Sequence, residues 1–218
     1  MNSTDLLTLF RSEMSDEAVP YLWSNVLVYS YMDDAQKRFC RKTDGIADSR
    51  TAAVTQLSIV PGTDWYDTHS AIRTVRSATR ADTGRPVRLY TAEQARLANI
   101  YFDGTEGPVD GLTLGLEPRA VRTAKMPNET MTVNLSVYRL PLVAITDDGD
   151  QEFEIDEQHH TILLEWLKSR AYGKQDAETV DRRKEADYAA RFDAYCAAAQ
   201  LDIERARRVH GNVAYGGI

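Results

Sequence analysis

The densest concentration of groups able to do chemistry is DDGDQEFEIDE, residues 147–157, where seven of eleven side chains are carboxylates and none is basic. Carboxylates crowded around a glycine, with His159 and His160 just beyond, are a donor set for a divalent cation, and so for a metal-dependent hydrolase or nuclease. Order and spacing argue against it. The run lacks the D-x-[DN]-x-[DN]-G pattern of a calcium loop, and His69, His159, His160 and His210 form no HExxH. Adjacent histidines on a helix point about 100° apart, a poor arrangement for chelating one ion. The plainer reading is a solvated turn. Asp147, Asp148, Asp150, Glu152 and Glu154 then form an acidic patch, Asp156 and Glu157 favour the N-terminus of the next helix through its dipole, and the two histidines are surface or interface residues, a pH-sensitive contact being their functional alternative.

Other reactive patterns are missing. There is no GxxxxGK[ST] loop, no GxSxG elbow and no GxGxxG after a strand; GLTLGLEP has two glycines at the wrong spacing with no helix after it. Cys40 and Cys196 are far apart on apolar helical stripes and read as packed thiols rather than a disulfide or a metal site. Asn128-Glu-Thr and Asn134-Leu-Ser match glycosylation acceptors, but the N-terminal residues do not resemble a secretory signal, so both matches are expected to be coincidental. No cofactor, metal or catalytic residue is expected.

The elements that position these groups follow from periodicity. Leu6, Leu7, Phe10 and Met14 recur at helical spacing, with Ser3 or Thr4 as cap, and predict a helix over about 4–15. Ser24 caps a second helix with Leu27, Tyr31, Ala35 and Phe39 on one stripe, ended by Gly45. From about 50 to 146 the texture turns β-branched and aromatic, with turn signals between strand-like pieces: AVTQLSIV, PGTDWYD, AIRTVRSAT, VRLYT and LTLGLEPRAV. The clearest is TMTVNLSVYRLP, where Met131, Val133, Leu135 and Val137 alternate with polar or small neighbours. A short helix is expected within Thr91–Tyr101. Ile162, Leu163, Trp166, Leu167 and Ala171 form a further helical face ending near Gly173. A long helix is expected over about 177–208, and the remaining residues are expected to be extended.

The fold expected from this order is α+β, mainly α: a four-helix core with a small β-rich domain inserted between helices 2 and 3, and an extended C-terminal tail. The corresponding boundaries are 1–48 and 156–208 for the helical bundle, 49–155 for the insertion and 209–218 for the tail. Trp166 belongs to the core; Trp65 and Tyr66, between two strands, cover a β core or anchor a subunit or tail contact.

With 218 residues and a net charge of −7, the chain has average globular composition. Its longest apolar stretch, near Leu140–Ile145, is far too short to span a bilayer, so no membrane partner is expected. The acidic run alone carries −7, and the rest is balanced. No basic face for sequence-specific DNA binding is suggested.

The ordered segments resemble the head-to-tail adaptor (connector) proteins of tailed bacteriophages. LLTLFRSEMSDEAVPYLWS with AQKRFCRKT resembles their start, TQLSIVPGTDWYD and AIRTVRSAT their first β segment, and TMTVNLSVYRLP a late strand. IDEQHHTILLEWLKSRAYGKQDAETVD is similar to their third helix and turn, RRKEADYAARFDAYCAAAQLDIERARR to the long helix, and NVAYGG to the tail. The resemblance covers nearly the whole chain. It implies a noncatalytic virion protein at the head–tail interface, assembled in the host cytoplasm. It also implies a ring of twelve subunits beneath the portal protein that contacts neighbouring adaptor subunits and the tail or nozzle proteins. Genomic double-stranded DNA would pass through without specific binding. In such adaptors the C-terminal segment reaches the portal, which makes Asn212, Val213, Ala214, Tyr215, Gly216, Gly217 and Ile218 the candidate portal-binding residues. Twelve copies carry −84 in all, so a channel receiving part of that charge would not adhere to DNA. A helical binding module of the host is the third, weaker reading.

Overall fold

The computed structural model describes residues 1–100, 105–175 and 180–207. In chain order the elements are α1 (Ser3–Glu13), α2 (Asn25–Lys42), β1 (Ile46–Asp48), α3 (Ala52–Thr55), β2 (Gln56–Ile59), β3 (Trp65–Asp67), β4 (Ile72–Arg80), β5 (Pro86–Thr91) and α4 (Ala92–Leu97). They continue with β6 (Glu106–Gly107), β7 (Gly111–Leu114), β8 (Ala120–Thr123), β9 (Met126–Pro127), β10 (Met131–Arg139), a 3₁₀ turn (Glu157–His159), α5 (Leu163–Gly173) and α6 (Arg182–Arg207). The chain divides into two compact units, one made of Met1–Asp44 with Val143–Ile218, the other of Gly45–Leu142.

In the helical unit, α5 touches α1, α2 and α6. Its buried faces supply Leu163, Leu164, Trp166 and Leu167, packed with Leu6 and Phe10 of α1, Val28, Met32 and Phe39 of α2, and Phe192 and Cys196 of α6. Helix α1 starts at a capping box: Asn2, rather than Ser3 or Thr4, accepts from Asp5 N–H at 2.8 Å, and the Asp5 carboxylate accepts from Asn2 N–H at 3.0 Å. Helix α2 follows Ser24 and stops at Thr43, two residues before Gly45. Helix α6 begins where Asp181 accepts from Arg183 and Lys184 N–H, and its 26 residues span about 39 Å.

The other unit is a sheet with the order β1-β10-β4-β5-β7-β8-β3, in which β2 also pairs with β10. β1 and β2 lie end to end along one edge of β10, pairing with residues 137–139 and 131–134 respectively, and β4 runs along the other edge. Most pairs are antiparallel, but β5–β7 is parallel. The sheet has to curl. Laid flat at about 4.8 Å per strand, β2 and β3 would stand about 29 Å apart, yet only residues 60–64 join them, a reach of about 20 Å. The hydroxyl of Tyr66 reinforces the closure, donating to Thr63 O at 2.5 Å and lying 3.0 Å from Val60 O. The concave side is aliphatic: Leu57, Ile59, Ala78, Val87, Leu112, Val121, Met131, Val133, Leu135 and Val137 form one cluster. Gly111 is required where β7 passes the Tyr90 ring, because a Cβ there would sit 2.7 Å from the ring.

The expected mainly-α fold, a four-helix core with a small β insertion, is therefore corrected. The protein is α+β with a curled mixed half-barrel, six helices, and about 40% helix against 24% strand. The reason is physical. Seven of the ten strands have four residues or fewer, too short to show a clear alternation, whereas one 26-residue helix dominates any reading of periodicity. In addition β4 does not alternate. Its sequence runs in triplets, Ile72-Arg73-Thr74, Val75-Arg76-Ser77, Ala78-Thr79-Arg80, because the pairing with β10 skips Arg76 between Ser77 and Val75, and Arg73 between Thr74 and Ile72. Two β-bulges thus return an apolar residue to the concave face at every third position.

Candidate interaction surfaces

The acidic run clasps the start of the chain. Ser3 N–H donates to Gln151 O at 2.9 Å, Gln151 N–H donates to Ser3 Oγ at 3.0 Å, and Asn2 forms an isolated bridge with Glu152. Asn2 Nδ2 donates to Asp150 at 2.7 Å, and the Met1 ammonium lies 2.9 Å from Glu157. That contact raises the ammonium pKa and lowers that of Glu157, in both cases chiefly through the shared hydrogen bond. Glu154 is only half-exposed; its carboxylate accepts from Val143 N–H at 2.8 Å, and its own N–H donates to the buried Gln36 at 2.6 Å. Asp148 accepts from the Thr146 hydroxyl at 3.1 Å. Asp147, Asp148, Asp150 and Glu152 remain exposed on the outside of this clasp.

His159 and His160 are both buried and face inward. The Nδ1 of His160 lies 2.8 Å from Met1 O and its Nε2 2.9 Å from Ile155 O. Each ring nitrogen of His160 thus faces a backbone carbonyl rather than an open position for a metal. The Nδ1 of His159 lies 3.1 Å from the Tyr195 hydroxyl, whose own hydrogen goes to Gln158 O at 3.2 Å, and its ring packs on Phe39. Burial lowers the His159 pKa. Among the described residues no group of three or more His, Cys, Asp or Glu side chains could hold a metal ion. Cys40 and Cys196 are buried thiols not joined in a disulfide, and burial pushes the Cys196 thiol up to about 12, far from a reactive thiolate.

Trp65 and Tyr66 sit on β3, the edge strand paired with β8. Trp65 is half-exposed, with the Arg122 guanidinium 5.4 Å from its ring, and Arg122 is in turn bonded to Asp64 at 2.7 Å. Tyr66 packs against the aliphatic cluster while its hydroxyl ties the 60–64 connection. The candidate portal-binding residues Asn212–Ile218 lie outside the described residues.

One surface was not singled out from the sequence. Between α1 and α2 the loop exposes Val19 (78%), Tyr21 (42%) and Leu22 (39%), with Val26 (63%) on the first turn of α2. The loop is nevertheless fixed from beneath. Buried Arg11 pairs with buried Asp16, donates to Trp23 O and Asn25 Oδ1 at 2.7 Å each, and stacks 3.7 Å from the Tyr21 ring centroid. Asp16 accepts from Leu22 N–H at 2.7 Å. An ordered loop that displays large apolar side chains costs nothing to pre-organise for a partner. The signal available in the sequence was VPYLWSNV, an apolar loop carrying a proline between two helices.

No helix among the described residues is long and apolar enough to cross a membrane. No curated protein matches this chain. The model of the SU10 adaptor protein family matches residues 1–214, so the chain belongs to that family.

Proposed function

We propose that the chain is the head-to-tail adaptor of a tailed bacteriophage, forming a ring of twelve copies beneath the portal and joining the DNA-filled capsid to the tail. The observation that carries this reading is the family match over residues 1–214; membership supports a structural role as a phage adaptor and a component of the virion. The site geometry agrees. Of the groups that suggested metal-dependent chemistry, Asp150 and Glu157 hold the N-terminal residues and both histidines are buried in hydrogen bonds, while the remaining exposed carboxylates face solvent. What remains is surface suited to protein contacts: the rigid apolar loop around Val19 and Tyr21, the β3 edge with Trp65, and Asn212–Ile218 for the portal. The net charge of −7 per copy keeps genomic DNA from adhering as it passes.

Native mass spectrometry of the purified chain, alone and mixed with a portal ring, tests this reading. A monomer or weak oligomer that mounts on the portal as a twelve-copy ring is the expected result, and deletion of 212–218 should abolish mounting while leaving thermal stability nearly unchanged. A chain that ignores the portal at micromolar concentration overturns the reading.

A further inference from the structure

Copies that each carry −7 repel one another, and a local contact of opposite sign between neighbours would offset that repulsion. We infer that the convex face of β10, β4 and β5 binds the acidic run of a second copy of this chain. This rests on the adaptor reading only for the number of copies.

The unequal charge of the two units sets up the contact. Residues 45–142 hold 11 basic and 10 acidic side chains, while the other unit holds 15 basic and 23 acidic. Within the sheet unit, β10, β4 and β5 together carry five arginines and no Asp or Glu. Arg139 is committed to buried Asp48, and Arg80 to Asp82 and Glu129. Arg76 and Arg88 are exposed, and neither is ion-paired with another of the described residues.

The strand geometry places these two side by side. Val75 and Ala78 face the aliphatic cluster, so the bulged Arg76 between them is set on the opposite, convex side, where its guanidinium lies 4.9 Å from the Tyr138 ring centroid. Val87 pairs with Ala78 and packs in the same cluster, so Arg88 stands one step along, at the level of Ser77 and Arg76 and on the same side. The Tyr138 ring supports one exposed guanidinium, and a guanidinium fork fits a carboxylate in two-point fashion. The complementary surface is on the same chain's other unit: Asp147, Asp148, Asp150 and Glu152 are exposed, with no Lys or Arg paired to them among the described residues. Every copy thus carries both halves of the contact, one on each unit. Such a heterologous, head-to-tail contact is the kind that propagates around a ring, which a self-complementary patch cannot do. A nucleic acid is the less suitable occupant, because the chain's net negative field opposes its approach.

The test is sedimentation equilibrium of the full chain up to about 1 mM, with two charge-reversed variants. One is R76E/R88E; the other is D147K/D148K/E152K, which turns the exposed patch from −4 to +2 and keeps Asp150, whose side chain holds Asn2. Each variant alone is expected to associate at least tenfold more weakly than wild type. An equimolar mixture should recover wild-type association within about threefold, since the reversed faces complement one another in alternation. Wild-type association should also weaken at least tenfold between 50 and 500 mM salt. R76Q/R88Q, with the charges removed but not reversed, should fall between. The inference is overturned if the wild type stays monomeric over the whole range, if either reversed variant associates as well as wild type, or if the mixture does no better than its components. A duplex DNA that binds wild type and not R76E/R88E, with self-association unchanged, would reassign the face to nucleic acid. Variants that mount on a portal normally while failing this test would remove the inference and leave the adaptor reading standing; rescue by mixing without portal mounting would do the reverse.

Discussion

In the helical unit Arg11, Asp16, Gln36, Lys168 and both adjacent histidines are buried, each hydrogen-bonded or ion-paired, whereas the sheet unit encloses an aliphatic cluster and, among the described residues, buries one charged pair, Asp48 with Arg139. The contrast follows from shape. A curled sheet wraps around its own apolar side chains and needs nothing else to enclose them. Amphipathic helices offer narrow apolar stripes, and their ends and loops must be fixed by groups with direction: Lys168 to Glu13 and Glu165, Trp166 Nε1–H to Asp34 at 2.8 Å, Arg38 stacked 3.9 Å from the Trp166 centroid. One half holds by volume and the other by pairing.

The sharpest way to break that comparison is Asp16→Ala. It strips the carboxylate from buried Arg11 and leaves Leu22 N–H without its acceptor, so a loss of about 3–5 kcal/mol in urea unfolding is expected, with the Val19–Val26 loop released. A loss under 1 kcal/mol would mean that pairing is not what secures this unit. In the sheet unit, Leu112→Ala removes a fully buried side chain and should cost about 3 kcal/mol. Hydrogen exchange should place the lost protection within 45–142 and leave α5 and α6 unchanged; loss spread evenly over both units would contradict the division.

The mildest effect sharpens the comparison from the other side, at the one charged pair inside the sheet unit. Burial alone would raise the Asp48 pKa, but the N–H groups of Thr51 and Arg50, at 3.0 and 2.9 Å, and the Arg139 guanidinium outweigh it and hold the carboxyl below its ordinary 3.8. A carboxyl depressed by the fold contributes stability that is present in full above its unfolded-state value and is lost as pH falls through the lower folded one. Thermal unfolding of the wild type should therefore decline as pH drops below about 4, and Asp48→Asn, less stable at neutral pH, should decline less steeply over that acid range.

How much of this was legible depended on the length of each signal. The helices around Leu6–Phe10, Leu27–Phe39, Leu163–Ala171 and Phe192–Ile203 announce themselves over many residues, and β10 alternates over nine. The sheet around β10 carries weaker signals because its other strands are short or, in β4, because two bulges replace a period of two by a period of three. AVTQLSIV hides a helical turn, α3, before β2, since four residues carry no period at all. The acidic run reads as a solvated turn from composition, and only tertiary pairing shows that Asp150, Gln151 and Glu157 secure Met1, Asn2 and Ser3. The same holds for the histidines, whose partners lie 5 to 159 residues away. Arg11 looks like a surface charge on an amphipathic helix and Asp16 like one in the loop after it; nothing local marks them as buried.

The clasp between Asn2–Ser3 and the 150–152 stretch also sets a timetable. The sheet unit, Gly45–Leu142, is one continuous run of chain, while the helical unit is assembled from two pieces on either side of it. At about 5–20 residues per second of synthesis, α1 and α2 emerge several seconds before the segment that completes their unit. During that interval Leu6, Phe10, Val28 and Met32 have no α5 to cover them, and the sheet unit is the first part of the molecule able to close. The half of the protein that depends on pairing is thus also the half that must wait on the ribosome for its partners.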